Sequence, residues 1–174
     1  MNFLSTQIKR RVEDGDTASE ATYSPCETYR YELTRVWNSK TSRILFVMLN
    51  PSTATEIKND PTVARCEGRA RPLGFGSYRV CNIFALRSTN PRELYQSDFP
   101  IGEENNEAIK RGCDWADKIV CAWGNHGELL DRGKEVEHLM RSTGNHLLHL
   151  GLTKKNFPKH PLYISHSQRL MLWE

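Results

Sequence analysis

The sequence predicts an α/β fold: a single three-layer domain on a central parallel sheet of four strands, with an added edge strand. Three observations predict it. Residues 44–49 (ILFVML) are six apolar residues in succession, as a strand covered on both faces requires. Comparable runs recur at 78–86, 119–123 and 146–150, with segments of helical spacing between them. Those intervals are too long for hairpins, so the connections read as right-handed crossovers over a parallel sheet.

Taken in order, residues 1–23 are polar, mix acids with bases and hold few large apolar residues, and read as a peripheral or flexible arm. The rest, 24–174, reads as one α/β domain, a size that buries a core without disulfides or metals. Residues 29–37 (YRYELTRVW) alternate apolar with polar and predict the half-exposed edge strand. The run 44–49 stops at Asn50-Pro51-Ser52, because Pro51 has no N–H to donate and favours an extended residue before it. Asp60-Pro61 is an acidic N-cap with proline at the first helical position. Val63, Cys66, Ala70 and Leu73 then share one helical face, and Gly74 supplies the stop. The second buried run, 78–86, carries one interior polar residue, Asn82. A helix is expected over 105–116, the third strand ends at Trp123-Gly124, helical spacing runs from Leu129 to Met140, and the fourth strand is 146–150. A basic loop then leads to His160-Pro161.

Composition narrows the function less than the motifs do. The 24 Lys+Arg against 21 Asp+Glu leave a net charge of +3, too small to argue nucleic-acid binding from the total. The distribution is more informative: 65–87 holds five arginines and one acid, and 153–169 holds four Lys/Arg and no acid. Both stretches suit a phosphate-bearing partner as well as they suit ordinary solvated charge. The five cysteines form no C-x-x-C pair and suggest neither a disulfide framework nor a zinc knuckle. His146-x-x-His149 with His138 is the one metal-like cluster, but it alternates with leucines and lacks thiol or carboxylate ligands, so no metal or cofactor is assigned. With no apolar leader segment and no stretch long enough to span a bilayer, the expected setting is a reducing cytoplasm, with no membrane partner and a monomeric state.

Polar residues at strand ends are where open α/β sheets bind ligands. Asn50, Asn82, the Trp123-Gly124-Asn125-His126 turn and the His160-to-Ser165 segment are therefore the candidates. Asn82 either bonds backbone or faces a polar pocket. Asn50-Pro51 is also a turn former in its own right, Trp123 is as readily a core residue, and His160 as readily a loop histidine.

The order N-P-S, V-C-N-I-F, A-W-G-N-H, H-P-L-Y-I-S resembles the motif order of the uracil-DNA glycosylase superfamily. Over 29–163 the chain also resembles a bacterial and phage family of unknown function, family 1643 of the uncharacterised domains. The glycosylase resemblance implies a nucleobase-directed enzyme, a DNA glycosylase-like protein acting on a modified or non-standard base. Asn50 would position the attacking water. Asn82 would read the base edge from a pocket formed with Pro51, Ser52 and Trp123, and His160 would stabilise the leaving base. Lys154, Lys155 and Ser165 would contact phosphate. Departures from the pattern are plain: no Phe occurs between Thr53 and Asp60 to stack on a base, and Leu162-Tyr163 stands where those enzymes have Ser-Pro. The implied partner is nucleic acid, DNA ahead of RNA, or a nucleotide. Two other readings remain: a non-catalytic protein that binds nucleic acid or modified bases, and a nucleotide-binding or nucleotide-modifying enzyme.

Overall fold

The computed structural model describes residues 7–174. Its centre is one eight-stranded mixed sheet in the order β1-β2-β3-β5-β4-β6-β7-β8, which corrects the expected central sheet of four parallel strands. The strands are β1 (Ile8–Asp14), β2 (Thr17–Tyr23), β3 (Arg30–Val36), β4 (Arg43–Met48), β5 (Ser77–Asn82), β6 (Lys118–Ala122), β7 (Leu147–His149) and β8 (Met171–Leu172). Neighbours among β5, β4, β6 and β7 pair parallel, and every other pairing is antiparallel.

The difference arises largely at the amino-terminal side. The described part of the expected arm is the β1–β2 hairpin on the sheet's margin; residues 1–6 lie outside the described residues. The hairpin turns at Gly15, whose φ of +59° suits the first central position of a two-residue hairpin loop. Its strand IKRRVED is mostly exposed, and charged edges of this kind discourage pairing with other chains. The 29–37 run, expected at an edge, is β3 and lies inside the sheet between β2 and β5. Its charged residues Glu32 and Arg35 are buried because both find partners, Glu32 in ion pairs with Arg79 and Arg111 and Arg35 in the loop after β4.

The helices are α1 (Pro61–Ala70), the short α2 (Arg92–Gln96), α3 (Asn105–Trp115) and α4 (Arg132–Arg141), with 3-10 turns at Asn125–Asp131 and Pro161–Tyr163. The α1 start is built as the residues require: Asp60 Oδ1 accepts from Val63 N at 2.9 Å and Pro61 opens the first turn. Val63, Cys66 and Ala70 pack on Ile44, Phe46, Met48, Tyr78 and Val80 on one face of the sheet. On the opposite face Ile109, Cys113, Val136 and Met140 pack on Leu45, Val47, Cys81, Ile119 and Cys121. The crossover after β4 therefore lies on one face and the crossover after β6 on the other. These two strands are neighbours, so the crevice beyond their carboxyl ends is a topological switch point, the usual ligand position in such sheets.

Candidate functional site

Asn50 follows β4 at that crevice. Its Nδ2 donates to the carbonyls of Ser88 (2.9 Å) and Pro51 (3.1 Å), with a longer contact to Leu86 O. The amide nitrogen is thus committed to holding the loop after β5, and the half-buried Oδ1 accepts no bond among the described residues. Oriented this way, Oδ1 is an acceptor with a fixed direction, suited to a water. Pro51 beside it is buried and Ser52 half-buried.

β5 ends at Asn82 rather than running on to 86, because Ile83 N and Phe84 N bond to Met48 O and Leu49 O and the chain bends away. Asn82 is accordingly the last strand residue, and by the pleat its side chain shares the α1 face with Tyr78 and Val80. It is 2 % exposed, and neither Nδ2 nor Oδ1 has a hydrogen-bond partner among the described residues. A buried amide left empty at both atoms costs about 1–3 kcal/mol per unmet group. Its backbone is held firmly, since Asn105 Nδ2 donates to the carbonyls of Asn82 (2.9 Å) and Ile83 (3.1 Å).

His160 reaches the same crevice by a long route. Gly124, just past β6, takes a φ of +72° and donates to Pro158 O at 2.7 Å, and His160 crosses directly above it. A Cβ on Gly124 would lie 3.7 Å from His160 Cβ. Leu162 N donates to His160 Nδ1 at 3.4 Å, so Nδ1 acts as an acceptor and the ring's proton belongs on Nε2. Burial pushes the imidazole pKa down to about 4, against an opposing pull from the Asp60 carboxylate. At neutral pH His160 is therefore an uncharged Nε2–H donor.

Several residues that sequence reasoning left out complete this layer. The register between β2 and β3 shifts at Tyr23, where Tyr23 pairs with Arg30 and Thr22 with Glu32, leaving Tyr31 as a bulge. The bulge turns Arg30 to the α1 face, where Nη1 bonds Ala54 O at 2.5 Å. Arg30 is 2 % exposed, its Nε has no partner, and it forms no ion pair among the described residues. Burial pushes its pKa down to about 10, while Asp60 and Tyr23 act in the opposite sense and Arg87 and Arg35 add to the fall. Arg35 clamps the loop above, donating to the carbonyls of Thr55 (2.7 Å), Lys58 (3.2 Å) and Glu56 (3.3 Å). Burial, reinforced by the bond Tyr23 donates to Glu56 at 2.8 Å, raises the phenol pKa to about 12. The half-buried Arg87 donates to Glu27 O and lies 5.2 Å from the Tyr23 ring centroid. Only the Asp60-Pro61 cap and the arginine-rich stretch hinted at any of this, since a bulge leaves no reliable trace in composition.

The remaining expected residues do not converge here. Trp123 points to the opposite face, 1 % exposed, 5.6 Å from the Trp173 ring. Its Nε1 abuts Gly127 and Gly133, where a Cβ would stand 2.7 and 2.8 Å from it, so Trp123 is a core residue under the turn into α4. Lys154 is exposed, and Lys155 is ion-paired with Glu128 at 2.8 Å beside the Trp123–Trp173 cavity. Ser165 lies along α1, its carbonyl accepting from Arg69 at 2.8 Å and its hydroxyl engaged with Ser167. Among the described residues no group of three or more side chains has metal-ligating geometry, and no helix is long and apolar enough to cross a membrane.

No curated protein matches the chain. A family model does, over residues 30–162, a span that begins at Arg30 and closes just after His160, so it takes in Asn50, Asn82 and both arms of the crevice. The chain belongs to the family described as protein of unknown function (DUF1643).

Proposed function

We propose that the protein is a nucleobase-directed enzyme that hydrolyses an N-glycosidic bond at the crevice between the carboxyl ends of β4 and β6. The observation that carries this reading is Asn82, whose buried donor and acceptor stand empty at the carboxyl end of β5, the strand beside β4. One amide presenting a donor beside an acceptor matches the alternating edge of a pyrimidine. The glycosylase resemblance of the N-P-S, V-C-N-I-F and H-P-L-Y motifs supports it, while the eight-stranded sheet gives it no added weight.

In this reading the base enters against Asn82. The C1′–N bond breaks with its electron pair going to the base, and negative charge gathers on a base carbonyl. The neutral Nε2–H of His160 donates to that oxygen; a preorganised donor at a developing anion is worth about 10²–10³ in rate. Asn50 Oδ1 accepts from a water whose oxygen attacks C1′. The water's proton passes to solvent, and the departing base takes up a proton to leave neutral. Incubation with free nucleotides and with oligonucleotides carrying normal and modified bases, read by mass spectrometry, tests the reading. Release of a free base supports it. Unchanged substrates throughout the panel, with no binding that depends on Asn82, would overturn it.

A second reading is favoured by a specific observation. Lys155 is neutralised by Glu128 and Ser165 lies along α1 with its carbonyl on Arg69, so neither supplies the free phosphate contact that a polymer backbone would use. That arrangement favours a nucleotide-modifying or nucleotide-binding enzyme acting on a small substrate through the same Asn82 pocket.

A further inference from the structure

We propose that Arg30 and Arg87 form an anion subsite beside Asn82, so that the ligand is a nucleotide carrying a terminal phosphomonoester, bound by base and phosphate together. The inference rests on the base-reading role of Asn82 and adds the other half of the ligand.

Two observations carry it independently. First, Arg30 is a buried guanidinium with an unmet Nε and no carboxylate within ion-pair distance among the described residues. Buried cations are ordinarily paired, because the desolvation of an isolated charge costs several kcal/mol. Among the other buried arginines, Arg132 meets Glu135, Asn106 and Ile83 O, Arg35 bonds three carbonyls and Asn59, and Arg69, whose Nε is also unmet, bonds the carbonyls of Ile164, Ser165 and Gln168; Arg30 has a single described side-chain bond, to Ala54 O. Second, Arg87 is half-exposed and makes one described side-chain bond, to Glu27 O, which leaves most of its five donors for a ligand. Arg87 and Arg35 are close enough to Arg30 to work against its charge. The nearby carboxylates are already engaged: Asp60 caps α1 and accepts from Ala54 N, and Glu56 accepts from Tyr23. Positive charge is thus concentrated on the same sheet face as the empty amide of Asn82.

A phosphomonoester fits this arrangement better than a backbone diester does. It carries up to two charges and three terminal oxygens for two planar guanidinium forks, and it can penetrate to a 2 %-exposed group. A diester inside a strand is held at the surface by its two flanking nucleosides. The chemistry is shared by a free nucleoside monophosphate and a phosphorylated strand end.

Isothermal titration of the full chain tests it with nucleoside 5′-monophosphates, the corresponding nucleosides, inorganic phosphate, and an oligonucleotide with and without a 5′-phosphate. The expected result is at least about tenfold tighter binding of one monophosphate than of its nucleoside, the size of a charge-assisted contact, with phosphate alone far weaker. Arg30→Met should abolish that ratio. Arg87→Met, at a position exposed enough to spare the fold, should reduce it several-fold. A phosphorylated oligonucleotide that gains the same factor, while the free nucleotide does not, identifies a strand end as the source. Equal binding of nucleoside and nucleotide together with equal binding of the oligonucleotide with and without its 5′-phosphate, a ratio that survives both substitutions, or no saturable binding of any phosphorylated probe overturns the proposal. Asn82→Asp separates the two ideas. Loss of base preference with an intact phosphate dependence supports both, unchanged base preference defeats only the base-reading role, and a base preference without phosphate dependence defeats only the anion subsite.

Discussion

Asn50 Nδ2 and Ser88 O, 2.9 Å apart, tie together the loops that follow the neighbouring strands β4 and β5. One side chain thereby fixes the entrance of the crevice and aims its own Oδ1. Asn50→Ala removes both, and the expected cost is about 1–3 kcal/mol from the carbonyls it leaves unmet. Urea denaturation reads that loss. If the hydrolytic reading holds, the single-turnover rate falls much further than substrate affinity, because water positioning matters chiefly in the transition state.

His160 predicts a pH signature. Its folded pKa of about 4 lies below the ordinary histidine value of 6.5, so between those values the unfolded chain binds more protons than the folded one. Its contribution to stability is complete above pH 6.5 and is lost as the pH falls toward 4. His160→Gln should flatten the stability profile across that window and leave it unchanged above pH 7, as chemical denaturation at a series of pH values would show. The same substitution should lower any base-release rate by about 10²–10³.

Asn82 offers the reverse trade. Its empty amide is a standing cost, so Asn82→Leu, with the same branching and number of side-chain heavy atoms, is expected to raise the melting temperature by about 2–4 °C for each kcal/mol of desolvation relieved. Ligand binding should disappear in the same variant. Calorimetric melting and titration on one preparation check both halves; a variant that melts lower and still binds contradicts the assignment.

Cys26 should be the one quickly labelled thiol. It is exposed, and hydrogen bonds from Ser24 and Thr28 bring its pKa down to about 7. Burial pushes Cys66, Cys81 and Cys121 well up and Cys113 to about 11. Brief iodoacetamide treatment at pH 7.5 should add a single group by intact mass, mapping to Cys26.

Gly133→Ala tests the packing role of Trp123. The added methyl would sit 2.8 Å from Trp123 Nε1 and 3.0 Å from Gly127 O, and overpacking of this kind costs about 1–3 kcal/mol. A denaturation midpoint that falls while nucleotide affinity is retained is the expected pair of results.

Residues 44–49 and 119–123 announced themselves as strands because both of their faces are covered, which selects unbroken apolar sequence. The hairpin of β1 and β2 gave no such signal. Its outer strand carries Lys9, Arg10, Arg11, Glu13 and Asp14 into solvent, so its pattern is that of a charged arm. Asp60-Pro61 was readable as a cap because capping depends on neighbours in sequence. Arg30 was not readable as a site residue: its orientation depends on one unpaired residue, Tyr31, and on a loop twenty-four positions away. The place of Trp123 on the opposite face was not readable for a related reason, since its neighbour across the fold, Trp173, lies fifty residues on.

The sheet order also dictates a timetable for a chain emerging from the ribosome. Strands β1, β2 and β3 pair with one another across short turns and need nothing further along. The inner edge of β3 stays open until β5 arrives some forty residues later, with β4 inserted on the far side of β5. Pairings between distant segments close late because their loop entropy must be met first. The crevice needs β6 and then His160, so of the proposed site's residues Arg30, Asn50, Asn82 and Arg87 come early and His160 alone is delivered in the last third of synthesis. A nascent chain arrested before β6 already holds α1 and α3 for the two faces of β4 but leaves its far edge unpaired, making that stage the one most in need of a chaperone.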